Sequence, residues 1–352
     1  MISVFITIIL GTIGGAVFEF LQLPLAWMIG AMSFTTLASV CGAPLKSSKH
    51  LRNLVLPILG VMLGSAFNPE VIGKVELWIP SLITMIVYII LVITSISFLF
   101  YKFVKVDFVT AFFCATPGGL ATMTIIGAEK GGNEQTIALT HSVRIFLTVL
   151  IIPFWFQIFQ NYEPTNDSNL VGFESFSLGG SVSLIACGLI GYFVGKLIRL
   201  PSFQLLGPML LSATIHILDF TDAKPPIEVV NIAQIIIGAG IGARFAGISV
   251  LHVSRVLISA TFSTIYILGL AAIVSYLLEQ LTGLPFHALW TAFAPGGLAE
   301  MALISLSMGI DPAFVSTHHL LRVSFILVMA LPGFQFYEKV LNLNVVETKR
   351  DR

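Results

Sequence analysis

Two copies of one short motif are the first candidates for chemistry. The motif Pro-Gly-Gly-Leu-Ala-x-Met occurs at Pro117–Met123 and again at Pro295–Met301. Proline removes a backbone donor and glycine weakens a helix, so each motif predicts a broken helix whose free N–H groups can bind an anion. A kink that serves only helix packing is the alternative. The doubling favours a substrate site formed by Pro117, Gly118, Gly119, Pro295, Gly296 and Gly297.

A His-x-x-Arg pair follows each motif, His141 with Arg144 and His319 with Arg322. Residues three apart share one face of a helix. An arginine deep in an apolar segment is costly unless it is paired or hydrated, which makes it a functional candidate. We therefore predict that both arginines bind an anionic substrate and that both histidines relay protons or couple an ion. A structural ion pair, or a side chain that reaches the membrane surface, is the alternative.

The two copies differ where Thr122 in the first corresponds to Glu300 in the second. We place both residues in the substrate site. A carboxylate at this depth either couples H⁺ or Na⁺ or pairs with Arg322, and the sequence does not distinguish the two. Asn53 and Asn231 begin equivalent segments, where hydrogen bonding at a helix start is the preferred interpretation and a role as polar ligands is the alternative.

Signatures of enzymes and cofactors are few. The sequence has no Gly-x-Gly-x-x-Gly after a strand, no P-loop and no His-Glu-x-x-His, and a helix points the adjacent His318 and His319 apart. Cys41, Cys114 and Cys187 are odd in number and scattered. We therefore expect no catalytic residues, no metal and no cofactor.

The elements that position these residues follow from composition. Of 352 residues, 56% are hydrophobic and only 10% are charged, against about 25% charged in soluble proteins. Lys and Arg number 18, as do Asp and Glu, so no basic excess favours nucleic-acid binding. The composition predicts an all-α polytopic membrane protein, with the lipid bilayer as its surroundings.

Twelve apolar segments are candidates for spanning or broken helices. The segments are 2–19, 25–40, 51–67, 79–101, 107–128, 135–157, 179–198, 203–218, 227–243, 256–278, 284–308 and 313–336. A polar stretch at 158–178 reads as a loop between two halves. We predict a first repeat at 1–157, a linker at 158–178, a second repeat at 179–337 and a cytoplasmic tail at 338–352.

The halves are an internal duplication with an offset of 177 or 178 residues. Asn53, Gly60 and Gly64 match Asn231, Gly238 and Gly242, and the Pro-Gly-Gly and His-x-x-Arg motifs match in the same register. Chance does not hold glycines, prolines and a His-x-x-Arg in one register over so long a stretch, which indicates two structural repeats. The Gly-x-x-x-Gly pairs within the repeats are interpreted as helix-packing sites.

Basic residues change sides between equivalent loops of the two halves. Placing the basic loops inside gives 13 Lys and Arg inside and 2 outside. Inverted-topology repeats predict this alternation, whereas parallel repeats predict the same bias twice. Inversion needs an odd number of crossings, so we expect segment 107–128 and its equivalent to be re-entrant. The prediction is ten spanning helices, two broken or re-entrant helices and two cytoplasmic termini.

The duplicated unit with its two Pro-Gly-Gly-Leu-Ala-x-Met motifs resembles the bacterial AbrB membrane-protein family. The resemblance covers roughly residues 5–336, and the family is distinct from the small soluble AbrB regulators that bind DNA. It implies two tandem AbrB duplication domains and a bacterial plasma membrane location. Family members are described as ammonia monooxygenases, as membrane regulators of gene expression or as transporters, and no catalytic residues carry over.

The residues favour one of these functions. Paired broken helices and intramembrane arginines in inverted repeats predict a secondary transporter of a small organic anion or polar metabolite, with H⁺ or Na⁺ as a coupling ion. A membrane-embedded sensor that regulates gene expression indirectly is the alternative. A monooxygenase lacks a cluster of metal-ligating residues in the sequence. The sequence fits a monomer or a homo-oligomer, and no nucleic-acid partner is expected.

Overall fold

The computed structural model of the protein describes residues 2–160, 172, 178–248 and 250–340. Every regular element in these ranges is a helix. The first half contains Ile2–Phe20 (α1), Ala26–Val40 (α2), Lys49–Gly64 (α3), Pro69–Leu99 (α4), Phe108–Ala115 (α5), Leu120–Glu129 (α6) and Glu134–Phe159 (α7). The second half contains Leu178–Leu197 (α8), Phe203–Ile217 (α9), Ile227–Gly242 (α10), Val250–Thr282 (α11), Phe286–Phe293 (α12), Leu298–Ser307 (α13) and Pro312–Val340 (α14).

The predicted all-helical membrane class agrees with these elements. Seven helices in the described ranges are long and apolar enough to cross a membrane, namely α1, α4, α7, α8, α10 with its 3-10 extension, α11 and α14. Their outer faces carry large apolar side chains that the protein leaves uncovered, such as Phe5, Ile83 and Phe193. Contiguous apolar surface of this kind is typical of contact with lipid.

All twelve predicted apolar segments correspond to helices, but some boundaries differ. Helix α4 begins at Pro69, ten residues before the predicted start. Asn68 Oδ1 accepts a hydrogen bond from Val71 N at 3.1 Å, and proline is well suited to the first helical position. This cap extends the helix through a polar stretch that the hydropathy pattern left in a loop.

Neither asparagine predicted at a helix start occupies one. Asn53 lies in α3, which begins at Lys49, and Asn231 lies in α10, which begins at Ile227. The cap of α3 is Ser48, whose Oγ accepts from Leu51 N at 3.3 Å. The apolar run alone does not reveal that α3 begins before it, at a serine cap.

The predicted linker and the predicted C-terminal tail lie partly outside the described residues. Helix α7 ends at Phe159 and α8 begins at Leu178, so 161–171 and 173–177 of the predicted linker are not described. Helix α14 continues to Val340, so the first residues of the predicted tail at 338–352 are helical. Residues 341–352 lie outside the described ranges.

Glycines bring the backbones of the two halves together. A Cβ atom on Gly60 or Gly64 of α3 would meet the carbonyl oxygens of Leu205 and Met209 on α9. Equivalent atoms on Gly238 and Gly242 of α10 would meet Met28 and Met32 on α2. The Gly-x-x-x-Gly pairs therefore act as packing sites, as predicted. Because residue numbers rise together, α3 runs parallel to α9 and α10 runs parallel to α2.

Several other contacts between the halves are also reciprocal. Helix α7 packs on α11, and the equivalent pair α14 and α4 does the same. Helices α3 and α10 contact each other, as do α4 and α11. Reciprocal contacts of this kind are those of a pseudo-twofold arrangement. The largest buried core therefore lies at the boundary between the halves, where α5–α7 and α12–α14 also meet.

Candidate functional site

The first Pro-Gly-Gly motif forms the tip of a helical hairpin. Thr110, at the start of α5, accepts a hydrogen bond on its Oγ1 from the backbone N of Asn133, just after α6, at 2.7 Å. A Cβ atom on Gly127 of α6 would lie 3.2 Å from Phe113 Cβ on α5. Helices α5 and α6 therefore run antiparallel and meet at Pro117–Gly119. We call α5 and α6 hairpin 1, and α12 and α13, which contact each other on either side of the second motif, hairpin 2.

Thr122 and Glu300 lie at the hairpin tips. Gly119 and Gly297 precede the first helical residues of α6 and α13. A Cβ atom on Gly119 would lie 3.6 Å from Thr122 Oγ1, and one on Gly297 would meet the carboxylate of Glu300. Each side chain therefore folds back over the start of its own helix, where backbone N–H groups without helical partners are located.

Each hairpin tip touches the arginine-bearing helix of the other half. A Cβ atom on Gly118 would lie 2.9 Å from Ile326 Cγ2 on α14, and one on Gly296 would lie 3.4 Å from Thr148 Cγ2 on α7. Thr148 and Ile326 come one helical turn after Arg144 and Arg322. The fold thus brings the residues predicted from the two halves into one central site.

In the first half, Arg144 is bound to the histidine one turn before it. Arg144 Nη2 donates to His141 Nδ1 at 2.6 Å, and His141 Nε2 donates to the carbonyl oxygen of Phe113 at 2.9 Å. A guanidinium group has only donors, so Nδ1 must be the acceptor and the ring must be the neutral Nε2–H tautomer. His141 therefore links Arg144 to hairpin 1.

In the second half, Arg322 is bound to the hairpin itself. Arg322 Nη1 donates to the carbonyl oxygen of Ala294 at 2.6 Å, and Nη2 donates to that of Gly296. Ala294 caps the C-terminal end of α12, where a positive charge is favourable, and Gly296 lies in the tip of hairpin 2. His319 Nε2 donates to the carbonyl oxygen of Thr291 at 3.2 Å, and His319 Nδ1 has no partner.

Several buried donors of the site lack a partner within the described residues. These are Nε and Nη1 of Arg144, Nε of Arg322 and Oγ1 of Thr148. Both arginines are only 3% exposed. The two guanidinium groups also interact with each other, and Glu300 interacts electrostatically with Arg322 and Arg244. The site therefore has an excess of buried donors and positive charge, which an anionic group with several acceptor oxygens would satisfy.

The structure adds residues that the sequence reasoning missed. Tyr88 is buried on α4, its hydroxyl donates to the carbonyl oxygen of Ile267 on α11 at 3.2 Å, and it interacts electrostatically with both arginines. Its counterpart Tyr266 stands 178 residues later, a match that the duplication could have revealed. His318 contacts Phe314 O through Nδ1 and Ser81 Oγ through Nε2, each at 2.8 Å, which joins α14 to α4.

The described residues contain no group of three or more His, Cys, Asp or Glu side chains that could hold a metal ion. Cys114 lies on α5, within hairpin 1, and its Sγ is 3.6 Å from Thr140 Oγ1 on α7. Around the point where the hairpins meet, the geometry brings together fixed donors, two cations and one carboxylate, and the donors and cations can bind an anionic group.

Helices of this length and hydropathy, wrapped around buried polar side chains, define a polytopic membrane protein. The chain belongs to the AbrB family, because the family described as "Transition state regulatory protein AbrB" matches residues 27–338. This result confirms the resemblance expected from the doubled motif.

Two relatives share most of their length with this chain. It is 27% identical over 346 residues to "Uncharacterized protein YhjN" of Bacillus subtilis (strain 168), covering 92% of this chain and 90% of the relative. It is 23% identical over 309 residues to "Putative regulator AbrB" of Escherichia coli (strain K12), covering 87% and 88%. These names support the family and leave the activity to be argued from the site.

Proposed function

We propose that the protein is a secondary transporter that moves a small organic anion, or another small polar metabolite, across the bacterial plasma membrane by alternating access. The observation that carries this proposal is Arg144, a buried cation with two unpartnered nitrogens beside the point where the hairpin tips meet. Leaving charged donors buried without a partner is costly. Binding of an anion would remove that cost.

The directions of the helices support inverted repeats. Leu51, in the first turn of α3, and Gly240, near the end of α10, line the same small cavity. The start of α3 therefore lies beside the end of α10, as expected if these equivalent helices run in opposite directions. The parallel pairs α3–α9 and α2–α10 fit the same relation, as does the distribution of 13 inside and 2 outside basic residues in the loops.

Inversion gives the topology that the proposal requires. Ten helices span the membrane, hairpins 1 and 2 enter from opposite sides and meet near the midplane, and both termini are cytoplasmic. Non-helical backbone at this depth is tolerated where protein or a water-filled cavity surrounds it, as at the two Pro-Gly-Gly tips. Rocking of the halves about this fixed point would expose it to each side in turn.

Glu300 is the proposed coupling residue. It lies at the tip of hairpin 2 and interacts with Arg322, whose hydrogen bonds go to backbone carbonyls. A carboxylate in this position can bind H⁺ or Na⁺ while the anion occupies Arg144. The proposed role is transport without catalysis, and it needs no metal or cofactor.

A membrane-embedded sensor is the second candidate, because the Escherichia coli relative is named as a regulator. A sensor of this kind would bind the same anion at Arg144 and influence gene expression indirectly. It predicts saturable binding without flux.

Uptake into proteoliposomes distinguishes the two candidates. The purified full chain is tested with a panel of radiolabelled carboxylates such as lactate, succinate and citrate. We expect uptake by the parent protein and a loss of at least about tenfold in Arg144→Gln, since a charge-assisted hydrogen bond to the anion is removed. The matched control is Arg255→Gln, because Arg255 is exposed on α11.

The outcomes separate the claims. Uptake that survives both Arg144→Gln and Gly296→Leu would remove the central site from the mechanism. Saturable binding of a carboxylate with no flux would favour the sensor.

A further inference from the structure

Equivalent residues of the two halves make different hydrogen bonds. Arg144 donates to His141, whereas Arg322 donates to two carbonyls of hairpin 2. The unpartnered atoms are complementary. Among the described residues, Arg144 Nη1 has no partner where Arg322 Nη1 is bound, and His319 Nδ1 has none where His141 Nδ1 is bound.

The two hairpins also differ in how far the protein covers them. Helix α13 packs against α3 and α7, and Ala299 and Leu303 are 5% and 1% exposed. The equivalent positions on α6 are uncovered: Ala121 is exposed and Ile125 is 58% exposed. The hairpin whose carbonyls hold an arginine is thus the one whose second helix is covered. The second helix of hairpin 1 is uncovered although its tip touches Ile326, and we call a hairpin in this uncovered arrangement withdrawn.

We infer that Arg144 and Arg322 exchange partners when the protein changes conformation. In the second conformation Arg144 donates to the carbonyl oxygens of Thr116 and Gly118, the equivalents of Ala294 and Gly296, and hairpin 1 packs in. Arg322 then donates to Nδ1 of His319, and hairpin 2 withdraws. This inference rests on the proposed function, for which it supplies the step between the two access states.

The exchange gives the histidines a defined role as positioning residues. His141 or His319 holds whichever arginine has left its hairpin, so that this arginine keeps unpartnered donors beside the tip of the opposite hairpin. The anion therefore meets one free guanidinium group in each conformation. Repulsion between the two buried guanidinium groups opposes a conformation in which both arginines bind the anion at close range.

Leucine and asparagine at the histidine positions separate this role from simple packing. The two side chains have the same shape, but Asn places an acceptor oxygen where the Nδ1 of histidine lies, and Leu has none. Both lose the Nε2 bond to the hairpin. The test variants are His141→Leu and His319→Leu, and their matched controls are His141→Asn and His319→Asn.

Two introduced cysteines report the conformation. Ala121→Cys is exposed only while hairpin 1 is withdrawn, and Ala299→Cys only while hairpin 2 is withdrawn. Each is placed in a full-length chain whose Cys41, Cys114 and Cys187 are replaced by alanine. The rate of maleimide alkylation at each position is measured in the purified protein and normalised to the denatured chain.

We expect His141→Leu to slow alkylation at 121 and to accelerate it at 299, changing the ratio of the rates about tenfold, as expected for the loss of one hydrogen bond to a charged group. His141→Asn keeps the parental ratio, and His319→Leu does not change the ratio in that direction. Arg322→Gln gives a second route to the same conformation, because it removes the donors that hold hairpin 2, and it must protect 121 as it exposes 299.

The exchange is wrong if His141→Leu and His319→Leu change the ratio in the same direction, or if His141→Leu and His141→Asn behave alike. Its failure can be told apart from failure of the proposed function. Opposite changes in reactivity without carboxylate flux would keep the exchange and remove transport. Flux without those changes would keep transport and remove the exchange.

Discussion

Arg144 and Arg322 occupy equivalent positions but stabilise different parts of the molecule. Arg322 donates two hydrogen bonds, to carbonyl oxygens of hairpin 2. Arg144 donates one, to His141, and two of its nitrogens have no partner among the described residues. Hydrogen bonds to charged groups stabilise a fold by about 1.5–3 kcal/mol each, and an unpartnered buried donor destabilises it. In this conformation the first arginine is therefore suited to a ligand and the second to stabilising the fold.

Substitution should reveal this difference in thermal stability. We expect Arg322→Gln to lower the apparent unfolding temperature of the purified protein, with a free-energy cost of about 3 kcal/mol from two lost bonds. Arg144→Gln should cost less, because it also removes an unsatisfied buried charge. Tryptophan fluorescence at one fixed heating rate measures both. Equal losses of stability would contradict the assignment.

The carboxylate at the tip of hairpin 2 has a separate prediction. If Glu300 couples an ion, Glu300→Gln should lose uptake driven by a pH or Na⁺ gradient by at least about tenfold and retain exchange of labelled for unlabelled carboxylate, since exchange needs no net ion movement. Glu129→Gln, at the exposed end of α6, is the control. Gradient-driven uptake that is unchanged in Glu300→Gln would exclude the coupling role.

The sequence singles out residues that the fold places where the hairpins meet, but it does not reveal their partners. Pro117, Arg144 and Glu300 stand out because a proline, a cation or an acid in an apolar segment is costly wherever it folds. Tyr88 and Thr148 are ordinary in such segments, and their place beside the arginines depends on which helices cross. Spacing along one helix cannot supply that information.

Among the elements, helix cores are predictable and helix ends less so. Apolar runs mark all twelve segments, and the two Pro-Gly-Gly motifs mark the two hairpins. The start of α4 depends instead on Asn68 and Pro69, whose capping hydrogen bond satisfies the helix end outside the apolar run. The hydropathy pattern does not reveal a capping hydrogen bond.

The close backbone contacts between elements make a further prediction. Gly238→Ala should destabilise the protein by about 1–3 kcal/mol, because the added Cβ would meet the carbonyl oxygen of Met28 and push α10 from α2. Gly269→Ala on α11 is the matched control, since its Cβ has no neighbour within 4 Å. It should be neutral or gain up to about 1 kcal/mol from helix propensity. Unfolding in a series of SDS concentrations compares them, and equal effects would contradict close packing at Gly238.

At the scale of the whole molecule, the duplication predicts a symmetry that the structure only partly keeps. The scaffold pairs α2–α10 and α3–α9 are reciprocal down to equivalent atoms. The hairpins are not: Leu303 is buried and Ile125 is exposed. A repeated sequence fixes what two halves have in common. It cannot say which half adopts which of two conformations, because that depends on the balance between states of the complete protein.

Inverted repeats make opposite predictions for two equivalent loops. Ser47, between α2 and α3, and Asp222, between α9 and α10, are both exposed. Inversion places the first loop, which is followed by Lys49 and Arg52, in the cytoplasm and the second outside. In chains lacking the native cysteines, an impermeant maleimide added to intact cells should label Asp222→Cys, and Ser47→Cys only after permeabilisation. Parallel repeats would place both loops on one side of the membrane. Equal labelling of the two positions would therefore contradict inverted repeats, on which the proposed alternating access depends.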